Sequence, residues 1–154
     1  MENLEITKEK ALATYAQSDE KGKTFLENLF GKKVFVTDTT ELIKTFNDAC
    51  LAEGTTESEF GKKYGHLEED EYAYMQLKLI TKALNGGEVM EYDGSTYLYF
   101  PYFNSKGSKV GFSFYDFYYD VSCSLVSSRL CSKNSKLAVY SGKQFLSIWD
   151  SYLN

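Results

Sequence analysis

The sequence predicts an α+β fold: N-terminal helices, an antiparallel three- to four-stranded meander, and a C-terminal helix packed on the sheet. Three observations predict it. Apolar residues recur at helical spacing through about residue 87. The period then drops to two across STYLYFPYF (95–103) and VGFSFYDFYYD (110–120). A helical pattern returns in LAVYSGKQFLSIWDSYL. A length of 154 residues fits a single domain, helical over about 1–87, with the sheet and last helix over about 88–154.

Each element has a local reason. Thr7 caps a helix beginning TKEKALATYA, and a second helical stretch runs through GKTFLENLF to Gly31. The two can be read as one helix, with Gly22 weakening the join by about 1 kcal/mol relative to alanine. A short extended piece, VFVT, follows. DTTE (38–41) has capping-box spacing and opens a helix whose stripe is Leu42, Ile43, Phe46, Ala49 and Cys50, ending at Gly54. TESE (56–59) repeats the capping signal for a short helix. The longest helix is expected over 69–85, with Ala73, Leu77, Ile80 and Leu84 on its core stripe and Gly86-Gly87 as its stop. The polar turn NSKGSK joins the two clear strands, and VSCSLV and SSRLCS supply one or two more around Cys123 and Cys131. Ser135 or Asn134 caps the last helix, which aligns Leu137, Ser141, Phe145, Ile148 and Tyr152, with Trp149 beside them.

Charge and composition exclude several functions. The net charge of −5 is uneven: residues 1–91 hold 18 acids against 11 lysines, a balance of −7, and residues 92–154 hold 4 acids against 6 basic groups, a balance of +2. General DNA binding is not expected of so acidic a chain. No apolar run reaches the roughly 18–20 residues of a membrane span, and the polar, acidic start MENLEITKEK is not a secretory signal. Three cysteines without a CxxC pair point to reduced thiols in a cytoplasmic setting. Cys123 and Cys131 are expected to pack as small hydrophobes. No His/Cys spacing fits zinc, no glycine pattern fits a phosphate or dinucleotide loop, and no cofactor is expected. His66, the only histidine, sits in the polar stretch GHLEED. Asp116 and Asp120 share a strand face, yet no nucleophile stands near them in the sequence, so no catalytic set is assigned.

The rings are the conspicuous feature. Twelve of the 25 aromatic residues lie between Tyr92 and Tyr119. Side chains alternate across a strand, so Tyr97, Tyr99 and Phe103 fall on one face of the first strand, and Leu98, Phe100 and Tyr102 on the other. In the second strand, Phe112, Phe114 and Tyr118 oppose Tyr115, Phe117 and Tyr119. Either helices cover both faces, or one face stays open as a contact surface. Tyrosine suits the second role, because its ring offers large area and its hydroxyl tolerates water. Tyr97, Tyr99, Tyr115 and Tyr119 are the candidate contact residues. Arg129, the only arginine against 16 lysines, sits in SSRL with Lys133, Lys136 and Lys143 nearby in sequence. Arg129, Lys133 and Lys143 form a candidate anion site at the start of the last helix. The alternative for Arg129 is a buried ion pair with Asp116 or Asp120.

Six stretches, TKEKALATYA, GKTFLENLFGKKVF, YAYMQLKLITKALNGG, YFPYFN, SSRLCSK and LAVYSGKQFLSIWDSYL, occur in this order. Together they resemble small uncharacterised proteins encoded by phages and prophages of gut Bacteroidetes. The most specific piece is SRLC followed by A-x-Y-x-G-K-Q-F. The chain departs from that pattern at Ser132, where an aromatic is usual, and at EVMEYDG, where a tryptophan-rich acidic turn is usual. The resemblance implies a phage-encoded protein working in the cytoplasm of a bacterial host or built into a virion.

Three functions follow as expectations. The first is a non-enzymatic accessory protein, such as a host-defence antagonist, that binds a host protein or ligand through an aromatic sheet face. The second is a sequesterer of a small signalling nucleotide, with Arg129, Lys133 and Lys143 taking phosphate and Tyr97, Tyr99 or Tyr115 stacking the base. The third is a structural virion component. A homo-oligomer is expected in each case, because an open aromatic face invites a two-fold partner.

Overall fold

The computed structural model describes residues 6–121 and 127–154. The chain forms two compact units, Met1–Leu42 and Ile43–Asn154. The smaller unit holds α1 (Lys8–Gln17), α2 (Glu20–Phe30), a 3-10 turn at Lys32–Phe35 and the short α3 (Thr39–Leu42). Thr7 caps α1 as expected. The two N-terminal helices are separate, and the break lies at Ser18 rather than at Gly22. Ser18 is extended, and the Asp19 carboxylate accepts from the Gly22 N–H at 2.8 Å, starting a new helix. Tyr15 and Phe35 stack at 4.3 Å within this unit. VFVT is extended only in part: Val34 and Phe35 belong to the 3-10 turn, and Val36 after them is extended.

The larger unit contains α4 (Phe46–Ala52), α5 (Glu57–Tyr64), α6 (Glu69–Leu84), β1 (Leu98–Asn104), β2 (Ser113–Asp120), α7 (Ser135–Gln144) and α8 (Leu146–Leu153). The single helix expected from DTTE to Gly54 is two: DTTE opens α3, and Thr45 and Asp48 build their own capping box to start α4. The Thr56/Glu59 box opens α5 as expected. Ala73, Leu77, Ile80 and Leu84 of α6 are all buried, and Gly86 and Gly87 turn the chain out of the helix with φ of 77° and 89°. Asn134 caps α7, its side chain accepting from the Leu137 N–H at 3.0 Å. The last helix is two helices, broken at Phe145, which turns in to be buried with Trp149. Among the described residues, no helix is long and apolar enough to cross a membrane.

The α+β class is as the sequence predicts, but the sheet has two strands among the described residues, not three or four. SSRL forms a 3-10 turn (Ser128–Leu130), and Ser132 meets β1 only through an isolated antiparallel bridge to Tyr99. Residues 122–126, the bulk of VSCSLV with Cys123, lie outside the described residues. The short third pairing has a physical cause. Tyr99 exchanges both backbone bonds with Ser132, at 3.0 and 2.6 Å. The next position on that edge is Pro101, which has no N–H to donate. In the other direction the chain is already committed to the Asn134 cap.

Candidate functional site

β1 and β2 pair antiparallel, with Tyr99 opposite Tyr119 and Pro101 opposite Phe117. The register slips between Tyr102 and Phe103, leaving Tyr115 as an extra residue, a β-bulge. Before the bulge, one face carries Tyr97, Tyr99, Phe117 and Tyr119. Their rings touch in sequence: Tyr97 to Tyr119 at 5.2 Å, Tyr119 to Tyr99 at 5.7 Å, and Tyr99 to Phe117 at 6.0 Å. The edge-to-face and tilted angles are those aromatic pairs prefer.

Helix α7 covers only the far end of this face. Gly142 lies so close to Pro101 and Phe114 that the helix backbone rests on the strands, and Lys143 stands over the Phe114 ring at 5.3 Å. The near end stays open, with Tyr97 54% and Tyr119 51% exposed and Tyr99 half-buried. On the opposite face Leu98 and Phe100 pack with Cys131, Met90 and Tyr92. Tyr102, Tyr115 and Tyr118 on that side remain 58%, 66% and 51% exposed. Neither face is sealed.

The bulge corrects one sequence assignment. Strict alternation groups Tyr115 with Phe117 and Tyr119, but its ring meets Tyr102 at 6.3 Å, on the other face. Phe114 moves the opposite way, to Phe103 and the helix side. Tyr102 and Tyr118 were missed as contact residues, since alternation places them with buried Leu98 and Phe100. The only cue in the sequence is that Pro101 and the bulge interrupt regular pairing there.

The loop before β1 is held by one carboxylate. Asp93 accepts from the N–H groups of Ser95 and Thr96, at 2.8 and 2.7 Å, and from the Thr96 hydroxyl at 2.6 Å. The Thr96 hydroxyl, then the backbone N–H groups, hold the carboxyl well below the usual range. A depressed folded pKa means stability present at neutral pH and lost as pH falls through that depressed value. Asp93→Asn is therefore expected to flatten the acid limb. Between about pH 5 and pH 2, the wild type should lose more melting temperature than the variant. Equal slopes would remove Asp93 from the account of how Tyr97 is positioned.

No family model matches the chain, and neither does any curated protein or solved structure.

The three cations do not converge on the hairpin tyrosines. Lys133 is engaged at the end of α6, where its ammonium donates to the Asn85 carbonyl at 2.9 Å. Lys143 lies in the last turn of α7, at the other end of a ten-residue helix about 15 Å long. A single phosphate can meet one of these lysines, not both. Arg129 is exposed, so it is not the buried partner of Asp116 or Asp120, and it lines a separate cleft.

The two aspartates serve the backbone. Asp116 accepts from the Phe117 N–H at 2.8 Å, and Asp120 from the Val121 N–H at 2.6 Å. Because Tyr99 points its backbone groups at Ser132, Phe117 points its own away from β1. Asp116 thus ties up an N–H on the outer edge of the sheet, where no strand pairs among the described residues. His66 is exposed in the turn between α5 and α6. Cys131 is fully buried, and burial pushes its thiol up, away from nucleophilic use.

Proposed function

We propose that the protein acts by occupying a partner: a phage accessory factor that binds a host protein through the aromatic face of the β1–β2 hairpin. The observation that carries this reading is the open cluster of Tyr97, Tyr99, Phe117 and Tyr119, left uncovered by α7. Tyrosine rings in such a patch supply contact area at low entropy cost. Tyr102, Tyr115 and Tyr118 extend the aromatic surface around the hairpin. A cleft of about 370 Å³ continues that second face between Tyr102 and Tyr152, room for one inserted side chain.

The test is a double substitution, Tyr97→Ser with Tyr119→Ser. Both side chains are half exposed but touch neighbouring rings, so a small drop in melting temperature is expected, with a cooperative melt showing that the variant is folded. Wild-type chain mixed with lysate of the bacterial host should run as a defined complex on size exclusion, and the double variant should run alone. A complex that persists in the variant rejects the patch as the contact. In the absence of a partner the same patch supports a two-fold homodimer. Light scattering should then give a dimer mass for wild type and a monomer mass for the variant. A wild-type monomer at high concentration rejects self-association. Co-purification with particles at high copy number would instead favour a structural virion role.

A further inference from the structure

A second cleft, of about 420 Å³, opens among α5, α6 and the 3-10 turn that carries Arg129. It shares no lining residue with the hairpin. Its apolar wall is formed by Phe60, Tyr64, Met75 and Leu79, with Val89 at the exposed margin. Phe60 and Tyr64 are themselves in contact at 4.7 Å, so the wall is a packed aromatic surface and not two independent rings.

The charges of the cleft divide into spent and free. The Lys82 ammonium lies 2.6 Å from the Glu53 carboxylate, whose side chain is only 11% exposed. That pair neutralises itself. Lys78 rests over the Tyr74 ring at 5.5 Å and has no carboxylate within salt-bridge distance among the described residues. Arg129 is exposed and makes no hydrogen bond or ion pair among the described residues. Glu88 stands exposed in the lining as the opposing charge. With Glu88 set against Lys78 and Arg129, the balance is one net positive charge beside an aromatic wall, in a space of the size that holds small organic molecules.

We propose that this cleft binds a small ring-bearing oxyanion, such as an aryl phosphate monoester. The guanidinium grips two oxygens of the anion in a planar fork, which an ammonium does not reproduce. The ring lies against Phe60, Tyr64 and Leu79. The anion alone uses only the ionic half of the site, and a neutral ring only the apolar half.

Calorimetric titration of the full chain with phenyl phosphate tests this, with inorganic phosphate and phenol as the two halves. Phenyl phosphate should bind, and each half should bind at least about tenfold more weakly. Arg129→Gln should weaken phenyl phosphate by about tenfold or more. Glu88→Gln should tighten it several-fold by removing the opposing charge. Both positions are exposed, and unchanged melting temperatures will verify folding. A pair of variants that shift affinity in opposite directions distinguishes a charged recognition site from general stickiness of apolar surface. The proposal is overturned if phenyl phosphate does not bind, if inorganic phosphate binds as tightly, or if affinity is indifferent to Arg129 and Glu88. Because the hairpin contributes nothing to the cleft, the Tyr97/Tyr119 double variant should retain phenyl phosphate binding. This outcome separates failure here from failure of the hairpin reading.

Discussion

Asn85→Ala is expected to lower the urea midpoint of the larger unit severely. Asn85 ends α6 and is 1% exposed. Its amide donates to the Cys131 carbonyl at 3.0 Å and accepts from the Lys133 N–H at 3.1 Å. Those two backbone groups flank Ser132, whose backbone is paired with Tyr99. One side chain therefore ties the longest helix to the segment that supports β1. Alanine leaves the Cys131 carbonyl without this partner in a buried place, at about 1–3 kcal/mol, and removes a second, part-buried bond from the Lys133 N–H. Asn85→Asp keeps the acceptor for Lys133 but sets a carboxylate oxygen against the Cys131 carbonyl, so it should not rescue. Amide exchange at Ser132 and Tyr99 should speed up in both variants. If the alanine variant unfolds at the wild-type midpoint, the bridge contributes nothing and the account of β1 support is wrong.

Gly142→Ala is expected to destabilise as well, against the intrinsic preference of a helix for alanine. The substitution gains about 1 kcal/mol of helix propensity. The new methyl, however, would sit 2.5 Å from Phe114 Cδ2 and 2.7 Å from Pro101 Cβ. Pro101 belongs to a paired strand and has a rigid ring, so it cannot swing aside. Phe114 has Phe103 beside it, at 6.2 Å between ring centres. Helix α7 must lift from the sheet, and overpacking of this kind costs about 1–3 kcal/mol or more. Gly142→Leu, with a larger side chain in the same place, should be worse. Thermal melts decide the sign. A variant Gly142→Ala more stable than wild type would show that α7 and the hairpin are not in tight contact.

Much of the fold is legible in the sequence where a local signal is strong. The stripe of α6, the capping box at Thr56 and Glu59 and the double-glycine stop all act within one or two turns. What was not legible depends on competition between neighbours. Asp19 captures the Gly22 N–H and moves a helix break by several residues. DTTE opens α3 as its spacing predicts, but Thr45 and Asp48 start a second helix, α4, within the stretch predicted as one. The last helix breaks at Phe145, which leaves helical geometry but is buried all the same, so the core stripe holds while the helix does not. Among the described residues the third pairing stops at the Tyr99–Ser132 bridge, because a proline faces the edge on which it would have grown and its other end is drawn into the cap of α7.

The candidate site divides along the same line. That rings outnumber the positions of one sheet face can be counted from the sequence. Which tyrosines share a face depends on a one-residue bulge, and residue spacing does not encode it. Closeness in sequence groups the cations, but a ten-residue helix separates Lys133 from Lys143. The cleft around Arg129 draws on four separate segments, and only the folded chain brings them together.

Asp116 has a further consequence. A strand rich in tyrosine and phenylalanine, with one side unpaired among the described residues, is the raw material of a fibril. Stacking more chains onto it requires a free donor at every second residue. At Phe117 that donor is already taken by the molecule's own carboxylate. The protein can therefore display sticky rings to another molecule while denying that molecule, or its own copies, an unbroken template to copy.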